Sequence, residues 1–93
     1  MFFIQFDING RKIGEIGVHN TQETRVQTDD DEFSWIEVRY NVYNLTGKER
    51  NEIQMGDESD DLITSIWHDR SDGAAALTSR VMDEVPEDTL RDY

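Results

Sequence analysis

The chain begins with alternating hydrophobic and polar positions, which is the pattern of a half-buried β-strand. The hydrophobic positions are Phe2, Ile4, Phe6 and Ile8. Asn9-Gly10 follows them, and this dipeptide favours a type I′ turn because both central residues need a positive φ. We therefore predict a β-hairpin that returns through residues 11–18. A bulge near Gly14 or Gly17 would bring the later hydrophobic residues back to the core face.

Residues 33–45 form the clearest strand, because hydrophobic residues recur there at every second position. One face, predicted to be core, carries Ile36, Val38, Tyr40 and Val42; the other carries Trp35, Glu37, Arg39, Asn41 and Tyr43. The polar residues 19–28 predict an edge strand, and four adjacent acids at 29–32 predict a solvated turn. Residues 51–56 are predicted to return as a final strand.

The hydrophobic period changes to that of a helix after residue 57. Leu62, Ile63, Ile66 and Trp67 are spaced at i, i+1, i+4 and i+5, which predicts a helix between Ser59 and Gly73. A second helix is predicted over residues 74–85, where Pro86 prevents its simple continuation. The inward stripe of that helix is Ala74, Leu77, Val81 and Val85.

These elements predict an α+β fold in one small acidic domain over residues 1–93. An antiparallel sheet of four to five strands, made of the N-terminal hairpin plus a meander, is followed by two C-terminal helices. Which face of the sheet the helices cover is left open by the sequence.

Charge is the most unusual property of the chain. Its 21 acids and 9 bases give a net charge of −12, and residues 57–93 hold 11 of the acids but 3 of the bases. Direct binding to nucleic acid or to an anionic membrane is disfavoured, because both attract cations. The basic surface of a protein is the expected complement. Seven of the bases are Arg, a balance that resembles proteins of salt-rich cytoplasm, so salt adaptation competes as an explanation.

The amino terminus and the apolar runs predict a cytoplasmic location. The first residues lack a basic region and meet an acid at Asp7, unlike a signal peptide. The chain has no apolar stretch near the roughly 18 residues that a transmembrane helix needs. Cysteine is absent, which excludes disulfides and thiolate sites.

Residue types that carry catalysis are sparse. His19 and His68 are the two imidazoles, and neither lies in a catalytic motif. We expect His19 in a turn and His68 beside the C-terminal end of the first helix. Asp57, Ser59 and Asp61 have alternate spacing, as in a calcium loop, but Leu62 stands where such a loop needs Gly. We therefore predict no enzymatic activity, no cofactor and no metal site.

Two surfaces are candidates for binding a partner protein. The first is acidic and comprises Asp57, Glu58, Asp60, Asp61, Asp69, Asp72, Asp83, Glu84, Glu87 and Asp88. Carboxylates a few ångströms apart can imitate the phosphates of a nucleic-acid strand. The second is the outer sheet face, where Phe3, Trp35 and Tyr43 would surround Glu37 and Arg39. Aromatic residues dominate many interfaces, but these would be core if the helices covered this face.

In size, acidity and organisation the chain resembles the small inhibitors that phages and mobile elements direct against host nucleic-acid-binding proteins. The resemblance is one of type and rests on no shared motif. It implies a non-enzymatic inhibitor or nucleic-acid mimic that blocks a basic nucleic-acid-binding site, in the host cytoplasm if the chain is viral. The alternatives are a salt-adapted accessory domain that associates through its aromatic sheet face, and an antitoxin-like subunit that dimerises through an exposed strand. The sequence does not fix the oligomeric state.

Overall fold

The computed structural model describes residues 1–85, in which a four-stranded antiparallel sheet is followed by a C-terminal helix. The strands lie in chain order as β1 (Phe2–Ile8), β2 (Arg11–Gln27), β3 (Ser34–Asn44) and β4 (Leu62–Asp69). The helix α1 spans Gly73–Glu84, and short 3-10 turns lie at Arg50–Glu52 and Arg70–Asp72. The predicted α+β class is confirmed, but one of the predicted helices and one of the predicted strands are not.

The N-terminal hairpin forms as predicted. Asn9 and Gly10 have φ of 53° and 77°, the positive values that a type I′ turn requires. Ile4 lies opposite Ile16, although Asp7 lies opposite Lys12. The register therefore shifts by one residue beside Gly14, which confirms the predicted bulge and returns the hydrophobic residues of β2 to the core face.

β2 is one strand of 17 residues, and the segment predicted as a separate edge strand is its second half. β1 pairs with residues 11–18, so residues 19–27 pair with β3 and, within residues 1–85, with no strand on their other side. The hairpin of β2 and β3 extends past both neighbouring strands to a turn at 28–33. We call residues 22–37 the distal arm. The longest extent of the described residues is 52 Å.

The segment predicted as the first helix is strand β4, so that prediction is wrong. Residues 62–69 pair with residues 37–43 of β3, and Ile66 lies opposite Tyr40. The apparent helical spacing arises because hydrophobic residues occupy both faces of β4: Ile66 belongs to the core beneath α1, whereas Trp67 lies opposite Arg39 on the other face. β4 also pairs the free side of β3, which satisfies backbone groups that a helix here would leave unpaired.

The predicted strand at residues 51–56 is also wrong. Arg50–Glu52 form a 3-10 turn, and Ile53 to Asp61 follow without regular structure. Gly56 has a φ of 128°, a backbone conformation far from that of a strand. Residues 45–61 therefore form a long connection between β3 and β4, which we call the covering loop.

The second predicted helix is confirmed as α1, and it covers the face of the sheet predicted to be core. Leu77, Val81 and Val85 are buried, whereas Ala74, the first residue of the predicted stripe, is exposed. The partners in the core are Ile16, Val18, Val42 and Ile66, with Phe2, Ile4, Phe6, Tyr40 and Ile63 packed at its margin. Pro86, Glu87 and Asp88 lie outside the described residues.

His68 lies on β4 and not beside the end of a helix, so its predicted interaction with a helix C-terminus is wrong. Its side chain is buried, and Nε2 has no hydrogen-bond partner in the described part of the chain. His19 continues β2 and lies opposite Asn41, rather than in a turn. Both imidazoles are therefore side chains of the sheet.

Candidate functional site

The sheet face opposite α1 is closed at one end by the covering loop. Tyr43 and Asn41, predicted as outward-facing residues, are 0% and 1% exposed there. The Tyr43 hydroxyl accepts hydrogen bonds from the Asn41 side chain at 3.1 Å and from the Gly56 backbone at 2.9 Å. Leu45 is also buried. Tyr43 therefore helps to hold the covering loop on the sheet and offers no surface to a partner.

A polar network fixes the far end of the covering loop. Asp57 accepts hydrogen bonds from Asn41 at 2.8 Å and from Arg39 at 3.1 Å. Ser65 of β4 donates to the Asn41 side-chain oxygen at 2.6 Å. The Asn41 hydrogen bond, followed by that of the Arg39 guanidinium, holds the pKa of Asp57 below its usual range. Asp57 is therefore a charged anchor for the loop.

The turn after Asp57 is built by backbone and side-chain hydrogen bonds. Ser59 N donates to the Gly56 carbonyl at 3.3 Å, and the Ser59 hydroxyl accepts from Asp61 N at 3.1 Å. Asp61 is tied twice, because its carbonyl accepts from Asn44 N at 2.8 Å and its carboxylate pairs with Lys48. Both ends of the turn are thus attached to the sheet.

Glu58 and Asp60 project from this fixed turn. Both are exposed, and neither has a cationic partner within 4.0 Å among the ion pairs of residues 1–85. Asp57 and Asp61 flank them along the chain but are held by Arg39 and Lys48. Of the four acids that the sequence placed together here, two therefore anchor the turn and two present free carboxylates. We call Glu58 and Asp60 the presented pair.

The remaining predicted acids do not gather around the presented pair. Asp69 is the last residue of β4 and Asp72 lies just beyond it, about 25 Å from the presented pair at about 3.3 Å per strand residue. Asp69 accepts hydrogen bonds from the Ser71 backbone and hydroxyl, which lower its pKa. Asp83 is exposed on α1, and Glu84 lies 3.7 Å from Arg80. Glu87 and Asp88 are outside the described residues.

Three further carboxylates in or beneath the covering loop were missed by sequence reasoning. Glu49 and Glu52 are exposed at the two ends of its 3-10 turn, where the Glu52 carboxylate accepts a hydrogen bond from Glu49 N at 3.4 Å. Glu15 is 3% exposed and pairs with Lys12 at 2.6 Å and Arg50 at 2.8 Å. Residues three apart point to opposite faces of a regular strand, so the pairing of Lys12 with Glu15 depends on the bulge beside Gly14.

The other residues of the predicted aromatic face divide between two environments. Phe3 is half-buried beneath Arg50, whose guanidinium carbon lies 3.9 Å from the ring centroid. Trp35 and Glu37 are half-buried on the distal arm, and Arg39 is half-buried next to it. The face is therefore not a continuous patch from Phe3 to Trp35, because the buried Tyr43 and the covering loop lie between its ends.

A shallow cleft of about 420 Å³ lies beside the covering loop. His19, Arg39, Asn41 and Asp57 are among the residues that line it, and His19 Nδ1 is buried there without a hydrogen-bond partner from residues 1–85. No cluster of three or more His, Asp or Glu side chains in that range could hold a metal ion. No helix of the described residues is long and apolar enough to cross a membrane.

Comparison with known proteins finds no family model, no curated protein and no solved structure that matches this chain. The geometry of the described residues is therefore the basis for assigning a function.

Proposed function

We propose that this chain is a non-enzymatic protein-binding module that inserts acidic side chains of its covering loop into a basic, nucleic-acid-binding site of a partner protein. The observation that carries the proposal is the presented pair, Glu58 and Asp60. These carboxylates are exposed, lack cationic partners among residues 1–85, and stand on a turn whose ends are hydrogen-bonded to the sheet.

A fixed turn suits this role better than a mobile acidic tail would. A basic groove shaped for phosphates binds charges best at defined positions. Binding loses less conformational entropy when the acidic side chains are held at those positions in the free protein. Arg39, Asn41 and Lys48 already hold the neighbouring carboxylates of the turn. The net charge of −12 would also steer a basic partner towards the chain and raise the association rate at low salt.

The decisive comparison is between two double variants that remove the same charge from different places. Glu58→Gln with Asp60→Asn neutralises the presented pair, whereas Asp29→Asn with Glu32→Gln neutralises two exposed acids at the tip of the distal arm. Each variant and the wild type would serve as bait in host-cell lysate at low and moderate salt. We expect a nucleic-acid-binding protein to be retained by the wild type and by the tip variant, and about tenfold less by the Glu58/Asp60 variant.

Equal loss of capture by both variants would show that net charge, and not the covering loop, attracts the partner. Equal retention by all three proteins would contradict a role for these acids altogether. Circular dichroism of each variant provides the folding control. None of the four substituted acids takes part in an ion pair of residues 1–85, so we expect both variants to fold.

The alternative, a salt-adapted accessory domain that associates through the sheet face, is supported by a different observation. Trp35 and Trp67 are half-buried on the face opposite α1, beyond the covering loop. Here the acidity would serve solubility alone, and screening of self-repulsion should then be needed for stability. Denaturation by urea at about 0.05 M and about 2 M KCl separates the two proposals. A midpoint that rises strongly with salt favours the alternative, and full stability in dilute buffer favours the inhibitor.

A further inference from the structure

The second half of β2 presents an open sheet edge. Residues 19–27 pair with β3 on one side. On the other side, the pairing of β2 with β1 stops at Val18, which lies opposite Phe2. In an antiparallel strand every second residue directs its backbone N–H and C=O away from its paired neighbour. No strand of residues 1–85 takes up those groups, and Asn20 to Arg25 are all exposed. Such an edge is a template for another strand.

Residues 22–27 of this edge lack Pro and Lys, two residue types that often prevent edge pairing. A threonine and a valine among them favour the extended conformation. The bulge at Thr21 lies before this stretch and leaves its register with β3 uninterrupted. In a chain of net charge −12, the edge is also locally neutral, because Glu23 and Arg25 are its charged residues.

Arg25 is the second indication that another strand binds at this edge. It is exposed and has no carboxylate within 4.0 Å among residues 1–85, although acids outnumber bases more than twofold in the chain. Its guanidinium makes a 3.3 Å hydrogen bond to the Ser34 hydroxyl. Glu23, two residues earlier on the same face, lies 3.8 Å from Arg70, the longest of the ion pairs within that range.

We propose that the occupant of this edge is a second copy of the chain, paired antiparallel with Thr24 opposite Thr24 of its partner. A two-fold axis between antiparallel strands is perpendicular to the sheet, so residues that lie opposite one another have side chains on the same face. The axis sets one residue opposite its own copy. Near the middle of the stretch this central residue can be Glu23, Thr24 or Arg25. Centres at Glu23 and Arg25 place like charges opposite one another, whereas a centre at Thr24 places Glu23 opposite Arg25 twice.

The paired stretch lies between the bulge at Thr21 and the turn at residues 28–33. With Thr24 at the centre, residues 22–26 of one copy lie along residues 26–22 of the other. β1 of each copy begins beside Val18, beyond the paired stretch. The result is a single sheet that contains the strands of both copies, with both α1 helices on the same side. Its interface is small, so we expect a dissociation constant of about 100 µM at physiological salt, where self-repulsion is screened.

The proposal is tested by sedimentation velocity of the full chain from about 10 µM to about 1 mM in about 0.15 M salt. The wild type should convert from monomer to dimer across this range. Glu23→Arg alone and Arg25→Glu alone should each weaken dimerisation about tenfold or more, because each places like charges opposite one another. An equimolar mixture of the two variants should dimerise again. In the mixed dimer the two substituted side chains face each other with opposite charges, and the unsubstituted Glu23 and Arg25 do the same.

Recovery in the mixture excludes misfolding as the reason for the loss, and Arg11→Glu, on the paired half of β2, provides a control that should dimerise normally. A wild type that stays monomeric at the highest concentration overturns the proposal. So does dimerisation that survives both single variants, or variants that fail to recover when mixed. None of these outcomes depends on a partner protein, so the test is independent of the proposed function.

Discussion

The buried carboxylate of Glu15 allows a sharp prediction about stability and pH. Its side chain is 4% exposed and accepts charge-assisted hydrogen bonds from Lys12 at 2.6 Å and Arg50 at 2.8 Å. Glu15→Gln keeps the shape of the side chain but removes its charge. Because Lys12 and Arg50 are themselves 48% and 58% exposed, both cations can return to water when the charge is lost.

The expected cost follows from these geometries. Hydrogen bonds to charged groups contribute about 1.5 to 3 kcal/mol each, but glutamine retains an acceptor and the exposed cations regain hydration. We therefore expect Glu15→Gln to lower the free energy of unfolding by about 1 to 2 kcal/mol at neutral pH. Glu32→Gln, an exposed acid at the tip of the distal arm, should change it by less than about 0.5 kcal/mol.

The same effect should depend on pH. The hydrogen bond from Lys12 is the largest cause that holds the pKa of Glu15 below its usual range, and Arg50 adds to it against the opposing effect of burial. A carboxylate whose pKa is lower in the folded than in the unfolded state stabilises the fold above its unfolded pKa of about 4.3. That stabilisation is lost as the pH falls through the folded pKa.

Urea denaturation followed by the fluorescence of Trp35 and Trp67 measures both quantities. The difference between wild type and Glu15→Gln should be largest near pH 7 and shrink progressively below about pH 4. A difference that is absent at pH 7, or that stays constant down to about pH 3, would refute the account of Glu15 as a stabilising buried anion.

Three further substitutions test other parts of the structure by the same denaturation assay. Val81→Ala empties part of the core beneath α1 and should cost about 2 to 3 kcal/mol; a cost below about 1 kcal/mol would mean that α1 is not packed as described. Tyr43→Phe removes the acceptor for Asn41 and the Gly56 backbone and should cost about 1 to 3 kcal/mol, whereas an unchanged midpoint would contradict that anchor. Gly10→Ala places a side chain at a φ of 77° and should lower the free energy of unfolding by about 1 kcal/mol. An unchanged free energy would contradict the type I′ turn.

The hairpin and β3 were predictable because local signals specify them. Asn9-Gly10 dictates a type I′ turn, and the alternation from Ile36 to Val42 identifies a strand with a core face. α1 was equally predictable, since Leu77 and Val81 lie one turn apart and both are buried. In each case the residues that decide the structure are close together in the chain.

β4 was mispredicted because its hydrophobic residues lie on both faces of the sheet. Ile66 packs beneath α1 while Trp67 lies on the opposite face, and a strand with hydrophobic residues on both faces loses the alternation that identifies it. β4 forms a strand because it pairs with the side of β3 that β2 leaves open. This pairing joins residues far apart in the chain, so the local periodicity of hydrophobic residues does not reveal it.

The candidate site was partly predictable for a related reason. The sequence placed Asp57, Glu58, Asp60 and Asp61 together, and they do share one turn. It did not separate anchoring from presented acids, because that division depends on Arg39, Asn41 and Lys48, which approach from other segments. The burial of Tyr43 was not predicted either, since it results from the covering loop, of which residues 51–56 were predicted as a strand.

The central claim is that the covering loop occupies a nucleic-acid-binding site, and competition tests it most directly. A partner recovered with the wild type would be loaded with a fluorescently labelled oligonucleotide, and fluorescence anisotropy would be followed as the chain is added. We predict displacement of the oligonucleotide by the wild type and by the Asp29→Asn/Glu32→Gln variant, with about tenfold more of the Glu58→Gln/Asp60→Asn variant needed for the same effect. A partner that binds the chain and the oligonucleotide simultaneously would contradict the account.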